Sequence, residues 1–365
     1  EGINEQKSTM LEVNTNSDSF YSKIHELLKT ARKNVVQTVN RTMVLTYFEI
    51  GRLIVEEEQK GQVRAEYGKQ IIKELSNKLT KEFGKGFSQR NLEQMRQFYI
   101  AYSIPQTVSA ELSSNTDTGS KLKKKGQTLS VEFNLSWSHY LVLIRIDNVA
   151  ERRFYEIEAV ENSWSLSELQ RQFNSALYER LALSRDKTGV KKLSEKGHII
   201  EKPQDTLRDP YVLEFLGLPE ETKYSENELE QKLIDKLEHF LLELGKGYTY
   251  VGRQVRFTFD DKHFRVDLVF YNRLLQCFVL IDLKIGEISH QDIGQMQMYV
   301  NYYDRFVKLD NENKTIGIIL CKKKNETLVE MTLPENNEQI FASKYQTVLP
   351  SKEKLKELLE YNNEQ

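Results

Sequence analysis

Apolar positions over residues about 19–103 recur at the helical period. Leu45, Phe48, Leu53 and Ile54 make one stripe, and Ile72, Leu75, Leu79 and Phe83 a second. Gly84-Lys-Gly86 supplies a stop for the second helix. Ser88 is placed to cap a third, whose inward positions read Leu92, Met95, Tyr99 and Tyr102. The period lapses over about 104–134, where Pro105, repeated Ser, Thr and Asn, and the run Lys121–Lys125 predict a mobile loop. Helices resume at Ser136 and continue to about Leu183. Ser165 and Glu168 stand at capping-box spacing ahead of Leu169, Phe173, Leu177 and Leu181. Residues 184–206, rich in Lys, Gly and Ser, predict an interdomain linker.

Beyond Asp209 the pattern becomes mixed. A helix is expected from Ser225 to Leu244, halted at Gly245-Lys-Gly247, then three strands at about 249–258, 263–271 and 276–284. A helix at about 290–306, a strand Gly317–Cys321 and a last helix at 351–361 complete the order. The expected fold is α+β: an all-helical N-terminal domain over 19–183, the linker, and an α/β domain over 207–361 built on one central sheet.

Composition narrows the partners. A net charge of −2 over 365 residues gives no chain-wide attraction to nucleic acid, so any such partner must be met by a local patch. The two cysteines, Cys277 and Cys321, lie in apolar strand-like runs and read as core residues of a reduced compartment. No apolar run is long enough for a membrane helix, and the N-terminus lacks a signal-peptide layout. The expectation is a soluble cytoplasmic protein, near the nucleoid if bacterial, with no membrane partner.

Strand parity singles out the candidate chemistry. Phe264, Val266, Leu268 and Phe270 share one face of their strand, leaving Asp267 on the other with Arg265 and Val269. On the next strand Cys277, Val279, Ile281 and Leu283 form the apolar face, so Asp282 and Lys284 point the same way. An Asp-x-Lys alone is most simply an ion pair at a strand end. A carboxylate on the adjoining strand changes that balance, because mid-strand charges are costly unless something binds them. Two carboxylates with an ammonium alongside suit Mg²⁺ or Mn²⁺ and phosphodiester hydrolysis.

The ordered segments Asp209-Pro-Tyr-Val-Leu-Glu-Phe-Leu, Phe240-Leu-Leu-Glu-Leu-Gly-Lys-Gly, Val251-Gly-Arg-Gln, Val266-Asp-Leu-Val-Phe-Tyr, Asp282-Leu-Lys-Ile-Gly and Gly294-Gln resemble the restriction-endonuclease-like PD-(D/E)XK nucleases, and among them the YhcG type. Gly86-Phe-Ser-Gln-Arg-Asn-Leu, Met95-Arg-Gln-Phe-Tyr and Leu135-Ser-Trp-Ser-His-Tyr carry the resemblance into the N-terminal half. It implies a restriction-endonuclease-like domain with one central mixed sheet. In it Asp267 is the metal aspartate, Asp282 the second acidic ligand, Lys284 the catalytic lysine, and the backbone carbonyl of Leu283 a further metal ligand. Relatives mostly carry Glu-Leu-Lys where this chain has Asp282-Leu-Lys284, and the shorter acid bears on metal preference. The family also places a glutamate on the helix before the sheet. Glu228 is taken up by a capping box with Ser225, whereas Glu230 heads the inward line Ile234, Leu237, Leu241 and is the better candidate. Gln295, on a different line of its helix from the core stripe, matches a glutamine that touches water or DNA, with Tyr299 beside it. Arg253 and Gln254 are candidates for phosphate contact, or members of an ordinary half-exposed strand.

In the N-terminal half, helix, Gly-Lys-Gly turn and a helix with outward Gln89, Arg90, Gln94 and Gln97 resemble a helix-turn-helix. Arg90 and Gln94 are candidate base readers, and Lys123 and Lys124 candidate phosphate contacts; the alternative is a scaffold for homo-oligomerisation. The expected function is a divalent-metal-dependent DNA endonuclease of bacterial DNA defence, restriction-linked processing or genome maintenance, with restriction-modification or repair proteins as possible partners. The competing readings are a non-catalytic DNA-binding or assembly factor on a nuclease fold, and a nuclease for RNA or branched DNA.

Overall fold

The computed structural model describes residues 2–60, 65–113, 133–183, 185, 187–221, 223–259 and 261–364. It divides into two units, Glu1–Asp147 and Asn148–Gln365. The first unit consists of α1 (Gly2–Lys60), α2 (Ala65–Phe83), α3 (Gln89–Ser113) and α4 (Trp137–Leu143). Ile54, Ile72, Leu92 and Met95 form its core. Helices α1 and α3 cross at Gly51, where a Cβ would lie 2.1 Å from the Met95 carbonyl oxygen, so only glycine allows this approach. That crossing buries Val44, Phe48 and Ile54 on one face of α1 and leaves Leu45 and Leu53, expected in the stripe, exposed. On α3 the same geometry buries Phe98, three residues after Met95, and Tyr99 is only half-buried. Phe98 packs among Phe48, Phe133, Trp137 and Tyr140.

The turn between α2 and α3 forms as expected. Gly84 has φ 90°, a 3-10 turn covers Lys85–Phe87, and the Ser88 hydroxyl accepts from the Asn91 amide at 3.3 Å. Helix α3 runs on to Ser113, through the start of the segment expected to be a loop. Residues 114–132 of that segment, with Lys123 and Lys124, lie outside the described residues.

The second unit opens with α5 (Val149–Glu161), α6 (Leu166–Asn174), α7 (Leu177–Leu183) and α8 (Lys187–Lys196). The linker expected over 184–206 is therefore largely structured. Helix α8 packs on α5, Leu193 is buried, and the Glu158 side chain of α5 accepts from the His198 amide at 2.7 Å. Its exposed lysines gave the segment the composition of a linker. The sheet follows, with β1 (Tyr211–Val212), α9 (Glu226–Asp235), α10 (Leu237–Leu244), β2 (Tyr248–Phe259), β3 (Lys262–Asn272), β4 (Cys277–Glu287), α11 (His290–Phe306), β5 (Ile316–Lys323), α12 (Glu326–Thr332), β6 (Ile340–Gln346) and α13 (Lys352–Glu364). The single helix expected from Ser225 to Leu244 is two, broken at Lys236 (φ −118°, ψ 33°). Its Ser225–Glu228 capping box is present.

The sheet is mixed, in the order β1-β6-β5-β4-β3-β2. β2, β3 and β4 form the antiparallel meander, and β4, β5, β6 and β1 run parallel. Leu229, Leu233 and Phe240 of α9 and α10 cover one face, over Leu268, Phe270, Val279, Ile281 and Ile318. Ile293, Met296, Val300 and Tyr303 of α11 cover the other, over Val269, Leu280 and Ile319. Phe264 and Val266, expected to face with Leu268, pack on the α11 side. Beyond Leu268, β3 leaves β4 and continues paired with β2 alone, and two-stranded ribbons twist more strongly than sheets.

One buried ion cluster ties the leading helices to the sheet. The Glu243 carboxylate of α10 is fully buried and receives Arg180 at 2.6 Å, Arg171 at 3.2 Å, Arg208 at 3.3 Å and the Val212 amide at 2.9 Å. Residues of α6, α7, α10 and β1 thus meet on one carboxylate.

Candidate active site

The site forms where the β3–β4 ladder stops. The last paired residues are Leu268 and Ile281, and the next positions are Asp267 and Asp282. Leu283 gives its amide hydrogen to the Asp267 side chain, which accepts through Oδ2 at 2.8 Å. On the other side β4 stays paired with β5, with Asp282 against Ile319 and Lys284 against Cys321. The parallel partner thus holds Asp282 and Lys284 rigidly while the antiparallel partner lets Asp267 turn in.

Asp282 is 3 % exposed. Lys284 Nζ lies 2.9 Å from its Oδ2 as an ion pair, which is the partner this buried oxygen has among the described side chains. The same ammonium is 3.8 Å from Asp292 Oδ1, in the first turn of α11. Asp292 closes a capping box with Ser289, accepting its amide at 2.8 Å, which fixes the carboxylate beside Lys284. Sequence reasoning passed over Asp292, although Ser289-x-x-Asp292 carries the signal. Glu226 was also missed; it accepts from the Ile285 amide at 3.4 Å.

Glu230 reaches the site from α9, as its place on the inward line predicted. The amide nitrogen of Gln254 donates to Glu230 Oε2 and, at 3.0 Å, to Asp267 Oδ1. Gln254, a candidate for phosphate contact or an ordinary half-exposed strand residue, turns its amide to these two carboxylates. Arg253 Nη1 donates to Gln231 Oε1 at 2.6 Å and keeps a half-exposed guanidinium on the rim. On α11 Gln295 donates to the Tyr299 hydroxyl, and Tyr299 is buried with its ring edge against Phe257. Arg90 is exposed and Gln94 half-buried on α3, in the other unit.

The electrostatics follow from burial and like charge. Burial, then the charge of Asp267, pushes Asp282 up to about 7, against the pull of Lys284. Burial also raises Glu230, with Asp267 adding to it and the Gln254 hydrogen bond opposing. Burial works against the Lys284 ammonium, but the charge of Asp282 outweighs it and raises the group above its ordinary value.

These residues fit a hard divalent cation. The donors are carboxylate oxygens, and burial beside Asp267 disfavours the charged form of Asp282, which nearby positive charge would offset. Asp267 and Asp282 are the residues that could hold it. Among the described residues no group of three or more His, Cys, Asp or Glu side chains could hold a metal by itself.

The raised Asp282 sets a pH dependence. Between its ordinary 3.8 and about 7 the folded protein binds more protons than the unfolded chain, so metal-free stability falls as pH rises through that window. A cation must displace the same proton, so Mn²⁺ affinity is expected to strengthen through about pH 7 and level above it. Calorimetric titration with Mn²⁺ at about pH 6 and about pH 8 checks this; equal affinities contradict it.

An antiparallel meander feeding parallel strands, with Asp267 at one strand, Asp282 and Lys284 at the next and helices on both faces, defines a restriction-endonuclease-like domain of the PD-(D/E)XK class. Residues 204–360 match the YhcG PDDEXK nuclease domain, and residues 23–180 match the DUF1016 N-terminal domain. The chain is 41% identical over 356 residues to a protein of Escherichia coli (strain K12) named "Putative nuclease YhcG", covering 92% of each. The protein belongs to the YhcG family of PDDEXK nucleases. By sequence α5 and α6 go with the N-terminal family, and by packing they go with the second unit. Among solved structures it is similar to a repair endonuclease from Pyrococcus abyssi, at 14% identity and TM-score 0.23, over 36% of this chain and 50% of that one. It is also similar to the EndoMS-dsDNA2 complex, at 17% identity and TM-score 0.24, over 36% of this chain and 48% of that one. The chain thus spans about half of each. No helix among the described residues is long and apolar enough to cross a membrane.

Proposed function

We propose that this protein is a divalent-metal-dependent endonuclease that hydrolyses DNA phosphodiester bonds, in bacterial DNA defence, restriction-linked processing or genome maintenance. The observation that carries the reading is the buried Asp282 carboxylate next to Asp267, with the Lys284 ammonium 2.9 Å from it. Asp267, Asp282 and the Leu283 carbonyl hold Mg²⁺ or Mn²⁺. When bound, the cation acts as a Lewis acid on water and on the phosphodiester. Lys284, kept charged by Asp282 and aimed by Asp292, stabilises the negative charge that develops on phosphorus. Glu230 adds a third carboxylate at Asp267, Gln295 and Tyr299 line the α11 side, and Arg253 meets phosphate at the rim.

The helical unit selects DNA through Arg90 and Gln94 of α3 and assembles copies of the chain through α1. Phe20, Ile24, Leu27, Leu28, Val35 and Val39 of α1 are all exposed, and an apolar row of this length is unusual on a monomer. Sedimentation of the intact protein is expected to give a dimer or larger; a monomer at micromolar concentration sinks that part.

A substrate panel of duplex, single-stranded and branched DNA and of RNA, each with Mg²⁺, Mn²⁺ or EDTA, tests the function. Cleavage of a DNA form that stops with EDTA is expected; cleavage confined to RNA, or undiminished by EDTA, overturns it. On the same panel, joint replacement of Arg90 and Gln94 by Ala is expected to weaken DNA binding at least about tenfold. Unchanged binding removes α3 from the interface.

A further inference from the structure

Gln254 stands in the middle of β2, between Arg253 and Val255, which pair with Leu268 and Val266 of β3. Its place in the ladder is therefore opposite Asp267. Its backbone has φ 48°, in the left-handed region that residues with a Cβ adopt at a cost. The flanking pairs on both sides remain in one register, with the register shift upstream between Tyr250 and Gly252. What the conformation achieves is the aim of the side chain. One amide nitrogen donates to Asp267 Oδ1 at 3.0 Å and to Glu230 Oε2 on α9. Asp267 Oδ2 already accepts from the Leu283 amide, so the aspartate is pinned through both oxygens. Two neighbouring carboxylates repel each other, and a neutral NH₂ with two hydrogens lets both face one point.

We propose that Gln254 is a positioning residue, whose left-handed backbone aims its amide to draw Glu230 beside Asp267, so that the two carboxylates act as one unit at the metal-holding site. The inference rests on the reading of Asp267 and Asp282 as metal ligands. Strain held at one residue is spent on geometry that no hydrogen bond of the ladder requires.

The test uses the full chain, with wild type, Gln254→Gly, Gln254→Ala, Asp267→Ala, Glu230→Gln and the double variant Gln254→Gly with Glu230→Gln. Three quantities are read: Tm without metal, Mn²⁺ affinity by calorimetry, and kcat and KM for DNA cleavage. Glycine relieves the backbone cost while deleting the amide, so Gln254→Gly is expected to keep or raise Tm. The same change is expected to weaken Mn²⁺ binding about tenfold and lower kcat more than KM, as loss of a group that orients a ligand does. Adding Glu230→Gln is expected to change Mn²⁺ affinity by less than about twofold further, because the pair no longer acts together. A fall in Tm equal to that of Gln254→Ala, with Mn²⁺ affinity intact, makes Gln254 structural and overturns the proposal; fully additive losses also overturn it. If wild type and Asp267→Ala bind Mn²⁺ equally weakly, the metal reading itself fails and takes this inference with it, a result unlike either of the others.

Discussion

Lys284→Ala is expected to lower DNA cleavage by about 10²–10³ and to retain Mn²⁺ binding, weakened by the proton it leaves on Asp282, whereas Asp267→Ala removes both. The two residues act at different stages. Asp267 is held toward the site by the Leu283 amide and Gln254, so deleting it removes the carboxylate that the proposed function gives to the cation and the anchor of the Gln254–Glu230 pair. Lys284 touches Asp282 and approaches Asp292, so its loss leaves the carboxylates in place but removes the positive charge that the proposed function assigns to the phosphate. It also removes the group that partly offsets the burial of Asp282, and the apparent pKa of that carboxyl moves higher still. Plasmid nicking and Mn²⁺ calorimetry on each variant separate the cases. Equal cleavage by wild type and both variants contradicts the assignment.

The second large effect concerns folding. Glu243→Ala is expected to destabilise the second unit by about 3–5 kcal/mol, the usual result of removing one partner from a buried ion cluster. It leaves Arg180 and Arg208 buried without their counter-charge, while Arg171 keeps only Glu214. The corresponding fall in Tm is on the order of 10 °C for a unit of this size. Glu243 also gives the protein an acid limb. Burial alone would raise this carboxyl, but Arg180, then Arg208 and Arg171, outweigh it and hold the group at about 2. The folded value lies below the ordinary 4.5, so the stabilisation is present above that pH and is lost as pH falls from 4.5 toward 2. Thermal scans from neutral to acid pH are expected to show a steeper loss for wild type than for Glu243→Gln. Parallel curves contradict a role for Glu243 in that limb.

The carboxylates and lysine were legible because they interrupt apolar strands, where charge is conspicuous, and because strand parity puts Asp282 and Lys284 on one side; on β3 that parity breaks at Asp267, between Val266 and Leu268. Glu230 was legible because the Ser225 capping box claimed its rival Glu228 and left one acid on the inward line. The direction of Gln254 was not, since it depends on a left-handed φ at a residue that carries no local signal for one. The helix α8 hid behind its lysines, and only Val190 and Leu193 mark its inner side. Strand β1, at two residues, is too short for any period, and β6 shows no clean alternation. The burial of Phe98 in preference to Tyr99 follows from the Gly51 crossing, a contact between distant parts of the chain that no local stripe encodes.

The central claim is that Asp267 and Asp282 form one metal-holding site. Anomalous diffraction from crystals of the protein grown with Mn²⁺ tests it most directly. The account predicts an anomalous peak between the Asp267 and Asp282 carboxylates, absent in Asp267→Ala crystals grown the same way. Mn²⁺ bound elsewhere, with no peak between these two side chains, would contradict it.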